Sequence, residues 1–232
     1  MTQQTQVRPP ARRRTRRGSA FWVGIVLVLA GLGLLCYVGW QFFGTNVVAA
    51  HKQHQIVIAT KRVWQSEGSG AASARTHGVV LQGAQALIRI PKFGKDYVMP
   101  VQAGVSDEVL AEGFGHFKGT AKPGGKGNYA LAAHRVTHGE PLRHMPELRP
   151  GDKVIVETER TTYTYVLDTN PNKLIVPFTS TWVIDPHPHN PDPGGVQPAH
   201  DPRLITLTTC SELFHTDNRM IAFGHLVSKT TR

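Results

Sequence analysis

The sequence predicts a mainly β domain, of barrel or sandwich type, carried behind one apolar helix. Three observations predict it. From Ala86 onward the chain breaks into short runs rich in Val, Ile, Thr, Tyr and Leu, separated by Gly and Pro; this is the pattern of an all-β fold rather than of alternating strands and helices. Helical patterns in that region are few and short. Ahead of it, Phe21 to Phe43 runs 23 residues without Asp, Glu, Lys or Arg, long enough to cross a hydrocarbon core.

The segments follow in order. Residues 1–20 form an Arg-rich tail: Arg8, Arg12, Arg13, Arg14, Arg16 and Arg17 precede the apolar run, with no acidic residue before position 43. Positive residues stay on the cytoplasmic side. The tail is therefore expected inside, residues 21–43 as a transmembrane anchor, and everything after residue 44 outside. Trp22, Tyr37 and Trp40 suit interfacial positions. The alternative is a cleaved signal peptide, which has a shorter apolar region and a small-residue cleavage site after it.

The chain carries 26 Lys+Arg against 16 Asp+Glu, a net charge of +10. Six of the positive charges belong to the tail; the remainder holds 20 basic and 16 acidic residues, a balance of +4. Nucleic-acid binding needs a basic face on the folded domain, so that class is set aside.

Residues 44–83 read as a stalk and linker. Positions 45–65 contain no Gly or Pro, Thr45 or Asn46 can cap a helix, and Val47, Val48, Ile56, Val63 and Trp64 are roughly helical in spacing. Ser66 to Gly83 is rich in Ser, Gly, Ala and Gln, the composition of a flexible linker. Residues 84–230 form the domain. Strands are expected at Ala86–Ile90, Tyr97–Val101, Asn128–Ala133, Lys153–Glu157, Thr161–Leu167, Lys173–Pro177, Leu204–Thr209 and Met220–Val227. A helical turn is expected at Asp107–Glu112 and a short helix at Pro141–Leu148. Asp185 to Pro202 holds six prolines and three histidines; no strand runs through it, and it reads as the wall of a groove.

The chain has two cysteines. Cys36 lies in the apolar run, so Cys210 is left without an internal partner outside the membrane. It ends the strand Leu204-Ile-Thr-Leu-Thr-Thr-Cys210, and Arg219 begins the next. If those strands are antiparallel neighbours, the two residues share one rim by topology. His134, followed by Arg135, also sits at a strand end. A thiolate is a nucleophile, imidazole can protonate a leaving amine, and guanidinium stabilises an oxyanion. Alternation puts Leu204, Thr206, Thr208 and Cys210 on one face, mostly polar, and Ile205 and Leu207 on the other.

Thr206-Leu-Thr-Thr-Cys210 followed by Arg219 resembles the signature of sortases, the cysteine transpeptidases of Gram-positive surfaces, in its class E form. Ile88-Arg-Ile-Pro-Lys-Phe-Gly94, Met99-Pro-Val-Gln-Ala-Gly104, Gly115-His-Phe-Lys-Gly-Thr120, Gly127-Asn-Tyr-Ala-Leu-Ala-Ala-His-Arg135 and Trp182-Val-Ile-Asp-Pro186 add to the resemblance. It implies a closed eight-stranded β-barrel with short helices. It implies Cys210 as nucleophile on a Leu-Ala-x-Thr-Gly or Leu-Pro-x-Thr-Gly-like sorting signal, His134 as proton donor, and Arg219 as clamp on the oxyanion and substrate backbone. The acceptor it implies is the amine of a peptidoglycan precursor or stem peptide. Thr209, Thr208, Phe117 and His215 are the expected substrate-binding residues. Two departures stand out: Ala133 where relatives carry Gly, and Phe117 where class E members often carry Tyr.

No metal or organic cofactor is expected. His187, His189 and His200 lie among Asp185, Asp192 and Asp201, but zinc wants ligands fixed by rigid elements. His138 and His144 read as surface histidines. Three rivals remain: a pilus-assembling sortase, which would carry a second C-terminal span and a lid motif; a non-catalytic adhesion ectodomain; and a wall L,D-transpeptidase, whose Ser-x-Gly-Cys pattern is missing here.

Overall fold

Nine strands build the sheet, and eight of them close on themselves. They are β1 (Ala86–Arg89), β2 (Met99–Ala103), β3 (Phe114–His116), β4 (Gly127–Ala132), β5 (Lys153–Glu157), β6 (Thr161–Leu167), β7 (Ile175–Pro177), β8 (Arg203–Cys210) and β9 (Asn218–Thr231). Their order is β6-β5-β1-β2-β3-β4-β8-β9, closed by the β6–β9 pairing, with β7 added beside β9. Closure leaves no open edge in the barrel. The ninth strand fits because β9 is long: residues 218–220 pair with β7, and Gly224 onward pairs with β6. The pairs β2–β3 and β4–β8 are parallel; the others are antiparallel. The computed structural model describes residues 18–40, 44–68, 83–211 and 217–231.

The barrel is filled from alternate positions of each strand. Ile88, Val101, Phe114, Tyr129, Leu131, Val154, Val156, Tyr165, Ile205, Leu207 and Ala222 meet inside, all buried. Ala133 joins them at 5% exposure. Its methyl is accommodated by core packing, so the departure from Gly leaves the end of β4 intact.

The outward face of β8 is covered too. Ile221 and Phe223 of β9 pack with Leu174, Val176 and Val183. Val183 sits on a 3-10 turn, Thr181–Ile184, within the β7–β8 connection. Asn128 donates to the carbonyls of Val183 and Asp185, and Thr206 donates to Asn128 Oδ1 at 2.7 Å. Leaving such buried groups unpaired would cost about 1–3 kcal/mol each. The mostly polar face of β8 that alternation marks is here the glue for that connection.

Several elements differ from expectation. β3 was not foreseen, because Gly113 precedes it and Gly115 interrupts it; its partners on both sides supply the order. The expected helix at Pro141–Leu148 is a series of turns ending in a 3-10 turn at Met145–Glu147. The short helix α3 follows at Asp107–Ala111, as anticipated; the two helices before it in the chain are α1 (Ser19–Gly39) and α2 (Thr45–Gly68).

The chain divides into two units, Met1–Trp40 and Gln41–Arg232. In the first, α1 includes Phe21–Gly39, with mean hydropathy 2.4 and no buried side chain, apolar and long enough for a membrane span. In the second, α2 occupies the segment read as a stalk. One face of it is buried against the barrel: Ile56 and Val57 pack on Ala84 and Leu87, with Trp64 and Val98 alongside. The expected linker lies, at 69–82, outside the described residues.

Candidate active site

β8 and β9 place the first two groups. Their antiparallel register ends with Cys210 directly opposite Arg219. β4 runs parallel to β8 on its other side, and the last registered pair is Ala132 with Thr208. Two residues further along each chain stand His134 and Cys210. Neighbouring strands lie about 4.8 Å apart, so the three residues occupy three adjacent strand ends.

The backbone around His134 is tied to the Cys210 strand on both sides. Ahead of it, Ala133 N donates to Thr208 O at 3.2 Å, and Thr209 Oγ1 donates to Ala133 O at 2.7 Å. Behind it, Arg135 Nη1 donates to Cys210 O at 3.3 Å and to Ser211 O. Leu142 N then donates to His134 O at 2.9 Å, closing the following loop. Each bond adds about 0.5–1.5 kcal/mol net; together they fix where the imidazole leaves the sheet. Arg135 was not among the expected site residues, although its place directly after His134 was the available signal.

His134 is largely buried, and its Nε2 has no hydrogen-bond partner among the described residues. The His138 ring stacks on it, with centroids 4.8 Å apart at 29°. Burial, and then the like charge of His138, push the His134 pKa below the ordinary imidazole value, against an opposing pull from Asp107. The neutral imidazole is favoured, so the ring gives up a proton readily once it carries one. Arg219 stands over the Phe178 ring at 6.0 Å and donates to Asn218 O.

The remaining expected residues are not gathered equally. Thr209 is 3% exposed, and its hydroxyl is committed to Ala133 rather than open to a substrate. Thr208 is buried beside Cys210. Phe117 N donates to Ala130 O, a position in register with Thr206. That is four residues, about 13 Å along the strand, from Cys210. His215 lies outside the described residues. His138, read as a surface histidine, is half-buried against His134. His144 is exposed and pairs with Glu147 at 2.7 Å.

The Pro-rich connection also differs from its expected role. It lines a cavity of about 440 Å³ with His187, His189, His200, Asp201 and Leu204. Leu204 is six residues from Cys210, about 20 Å along an extended strand. The cavity-lining part therefore stands at the far end of β8. Among the described residues, no three His, Cys, Asp or Glu side chains come together to hold a metal ion.

The sortase domain model matches residues 88–227. The chain belongs to the sortase family. Its likeness within that family is to class E. Sortase SrtE1 of Streptomyces coelicolor is 35% identical over 221 residues, 90% of this chain; this chain spans 58% of that relative's length. Sortase E from Streptomyces avermitilis superimposes with TM-score 0.56 at 38% identity, covering 64% of this chain and 90% of that one. Sortase E1 from Streptomyces coelicolor, solved with a tripeptide in the active site, gives TM-score 0.54 at 36% identity, covering 64% and 91%. The closed barrel is the fold these sortases share with this chain.

Proposed function

We propose that this sortase is a cysteine transpeptidase acting on a Leu-Ala-x-Thr-Gly or Leu-Pro-x-Thr-Gly-like sorting signal. Cys210 Sγ attacks the Thr carbonyl, and the Thr–Gly C–N bond breaks. His134 gives its proton to the departing Gly amine, leaving a thioester on Cys210. An incoming amine then attacks the thioester, His134 takes a proton back, and the Cys210 thiolate with its His134 imidazolium is restored. Arg219 holds the oxyanion of both tetrahedral intermediates, where a positive donor is worth most. The acceptor is an amine of a peptidoglycan precursor or stem peptide, and the donors are surface proteins carrying the signal.

The observation that carries this reading is the end-of-strand register of Cys210 with Arg219, with His134 on the adjoining strand end. A peptide-binding role is also supported by the tripeptide in the Streptomyces coelicolor relative. Four residues of extended peptide, from Thr back to Leu, span about 13 Å. Phe117 stands about that far along the strand direction from Cys210, on the far side of β4, and is assigned to the far half of the signal. Thr208 is assigned to the floor beside the thioester, and His215 to the acceptor side. The enzyme is placed at the cell membrane by one span, with residues 1–20 cytoplasmic and the domain outside; the six arginines before the apolar run support that orientation.

The test uses both peptides, an amine acceptor and mass spectrometry. Cleavage between Thr and Gly with amide exchange is expected, and is lost in Cys210→Ala. No turnover of either peptide, or full turnover by Cys210→Ala, overturns the assignment.

A further inference from the structure

α2 meets the barrel through one stripe: Asn46, Ala49, Gln53, Ile56, Val57 and Thr60, residues at helical spacing. The C-terminal half of the stripe packs against Ala84 and Leu87, and Ala84 N donates to Thr60 Oγ1 at 3.0 Å. The N-terminal half is polar and residue-specific. Gln53 is only 2% exposed, uncommon for glutamine, and its Nε2 donates to His138 O at 2.9 Å. Asn46 Oδ1 accepts from Gly139 N at 3.0 Å, and Asn46 Nδ2 donates to Glu140 Oε1 at 2.8 Å. Three consecutive residues of the turn after His134 are each held by this helix.

Those three residues share an uncommon backbone. His138 has φ 53°, Gly139 φ 78° and Glu140 φ 50°. Glycine adopts this region freely, whereas a side chain there costs about 1–2 kcal/mol. Gly139 is required for space as well: a Cβ would come 2.6 Å from Gln53 Oε1. A turn strained at two side-chain-bearing positions persists only when its surroundings hold it. What the strain achieves is the stacking of the His138 ring on His134.

We propose that α2 is a positioning element of the active site: Asn46 and Gln53 hold the 138–140 turn left-handed, the turn holds His138 against His134, and the imidazole is thereby oriented for proton transfer. This rests on the reading of His134 as the proton donor. The helix lies outside the 88–227 span that the family model matches. Its other polar tie, Lys52 to Glu112 at 2.8 Å, is exposed on the lysine side. Such a pair contributes little and touches no part of the turn.

The ionisable groups around His134 are His138 and Glu140 on the turn, Asp107 on α3, Arg135 beside it in the chain, and Cys210 and Arg219 on the neighbouring strands. Cutting the latch releases His138; it also frees Glu140 Oε1, which keeps its Arg143 partner through Oε2, and removes a long donation from Gln53 Nε2 to Ala111 O, 3.4 Å, at the end of α3. Gln53→Met keeps the volume and removes the donor to His138 O and Ala111 O; Gln53 Oε1 already lacks a partner among the described residues, so its loss breaks no further bond. Asn46→Ala cuts the second tie, and Lys52→Ala is the control. Full-length chain in detergent micelles, labelled with 13C-histidine, gives the His134 titration by NMR, with the resonance assigned by its loss in His134→Gln.

The double variant N46A/Q53M should raise the His134 midpoint as His138 moves off. It should lower kcat about tenfold while KM for the peptide stays within about twofold. Lys52→Ala should match the parent in all three. The proposal is overturned if N46A/Q53M titrates and turns over as Lys52→Ala does, or if it loses only thermal stability. If the parent turns over neither peptide, the functional reading fails, and the NMR titration alone decides whether the latch exists.

Discussion

The two flanks of His134 are built from different materials. On the barrel flank, Thr209 and Arg135 reach carbonyls of neighbouring strand ends, and these ties follow from the register of β4 with β8. The strands would be there in any case, since Ile205 and Leu207 fill the barrel. On the helix flank, Asn46 and Gln53 hold a strained turn that the sheet does not organise. The difference separates two properties of a catalytic group. Where His134 leaves the sheet is guaranteed by topology. How its ring is turned, and how tightly it holds a proton, is what we assign to Asn46 and Gln53, more than eighty residues earlier.

Substitutions that break one flank and spare the other should sort by size. Arg219→Lys, at the barrel rim, keeps the charge but loses the planar fork; kcat/KM for peptide cleavage should fall on the order of 100-fold. Rates near the parent's would remove Arg219 from the oxyanion. Arg135→Met should come next. It leaves the carbonyls of Cys210 and Ser211 without their donor, so chemical denaturation should show a loss of about 1–3 kcal/mol, with slower acylation in stopped-flow. An unchanged acylation rate would make Arg135 a structural residue only.

The smallest effect belongs to the helix flank. His138→Asn keeps a residue that tolerates left-handed backbone and removes the like charge beside His134. The sign follows from electrostatics: without that charge the imidazolium is easier to form, and the His134 pKa rises toward the ordinary value. The limb of the pH–rate profile set by the imidazole should move to higher pH, with no loss of thermal stability. A limb that stays put, or moves down, would show that the stacked ring does not tune the acid.

What the sequence revealed follows the same division. Cys210 opposite Arg219 was legible because one short loop joins two adjacent strands, and alternation identified Ile205 and Leu207 as core. The eight-stranded barrel came with the sortase resemblance; closure by β6 with β9 is a pairing between strands far apart in the chain. Alternation also marked Thr206 as facing outward, but it could not say that the Thr181–Ile184 turn covers that face. In α2 the apolar pattern was right at Ile56 and Trp64, which pack on the barrel, and wrong in the N-terminal half: Val47 and Val48 are 72% and 60% exposed, while Gln53 is buried. A face chosen for hydrogen bonds rather than for apolar contact leaves no hydrophobic period to read. For that reason the placement of His138 against His134 escaped sequence reasoning.

The most direct measurement is the intact mass of the protein during turnover of a Leu-Ala-x-Thr-Gly peptide, followed by digestion to locate any adduct. A transient adduct equal to the peptide up to Thr is expected on Cys210, as a thioester that hydroxylamine releases. Cleavage that proceeds with no adduct on Cys210, or with the adduct on another residue, would contradict Cys210 as the nucleophile.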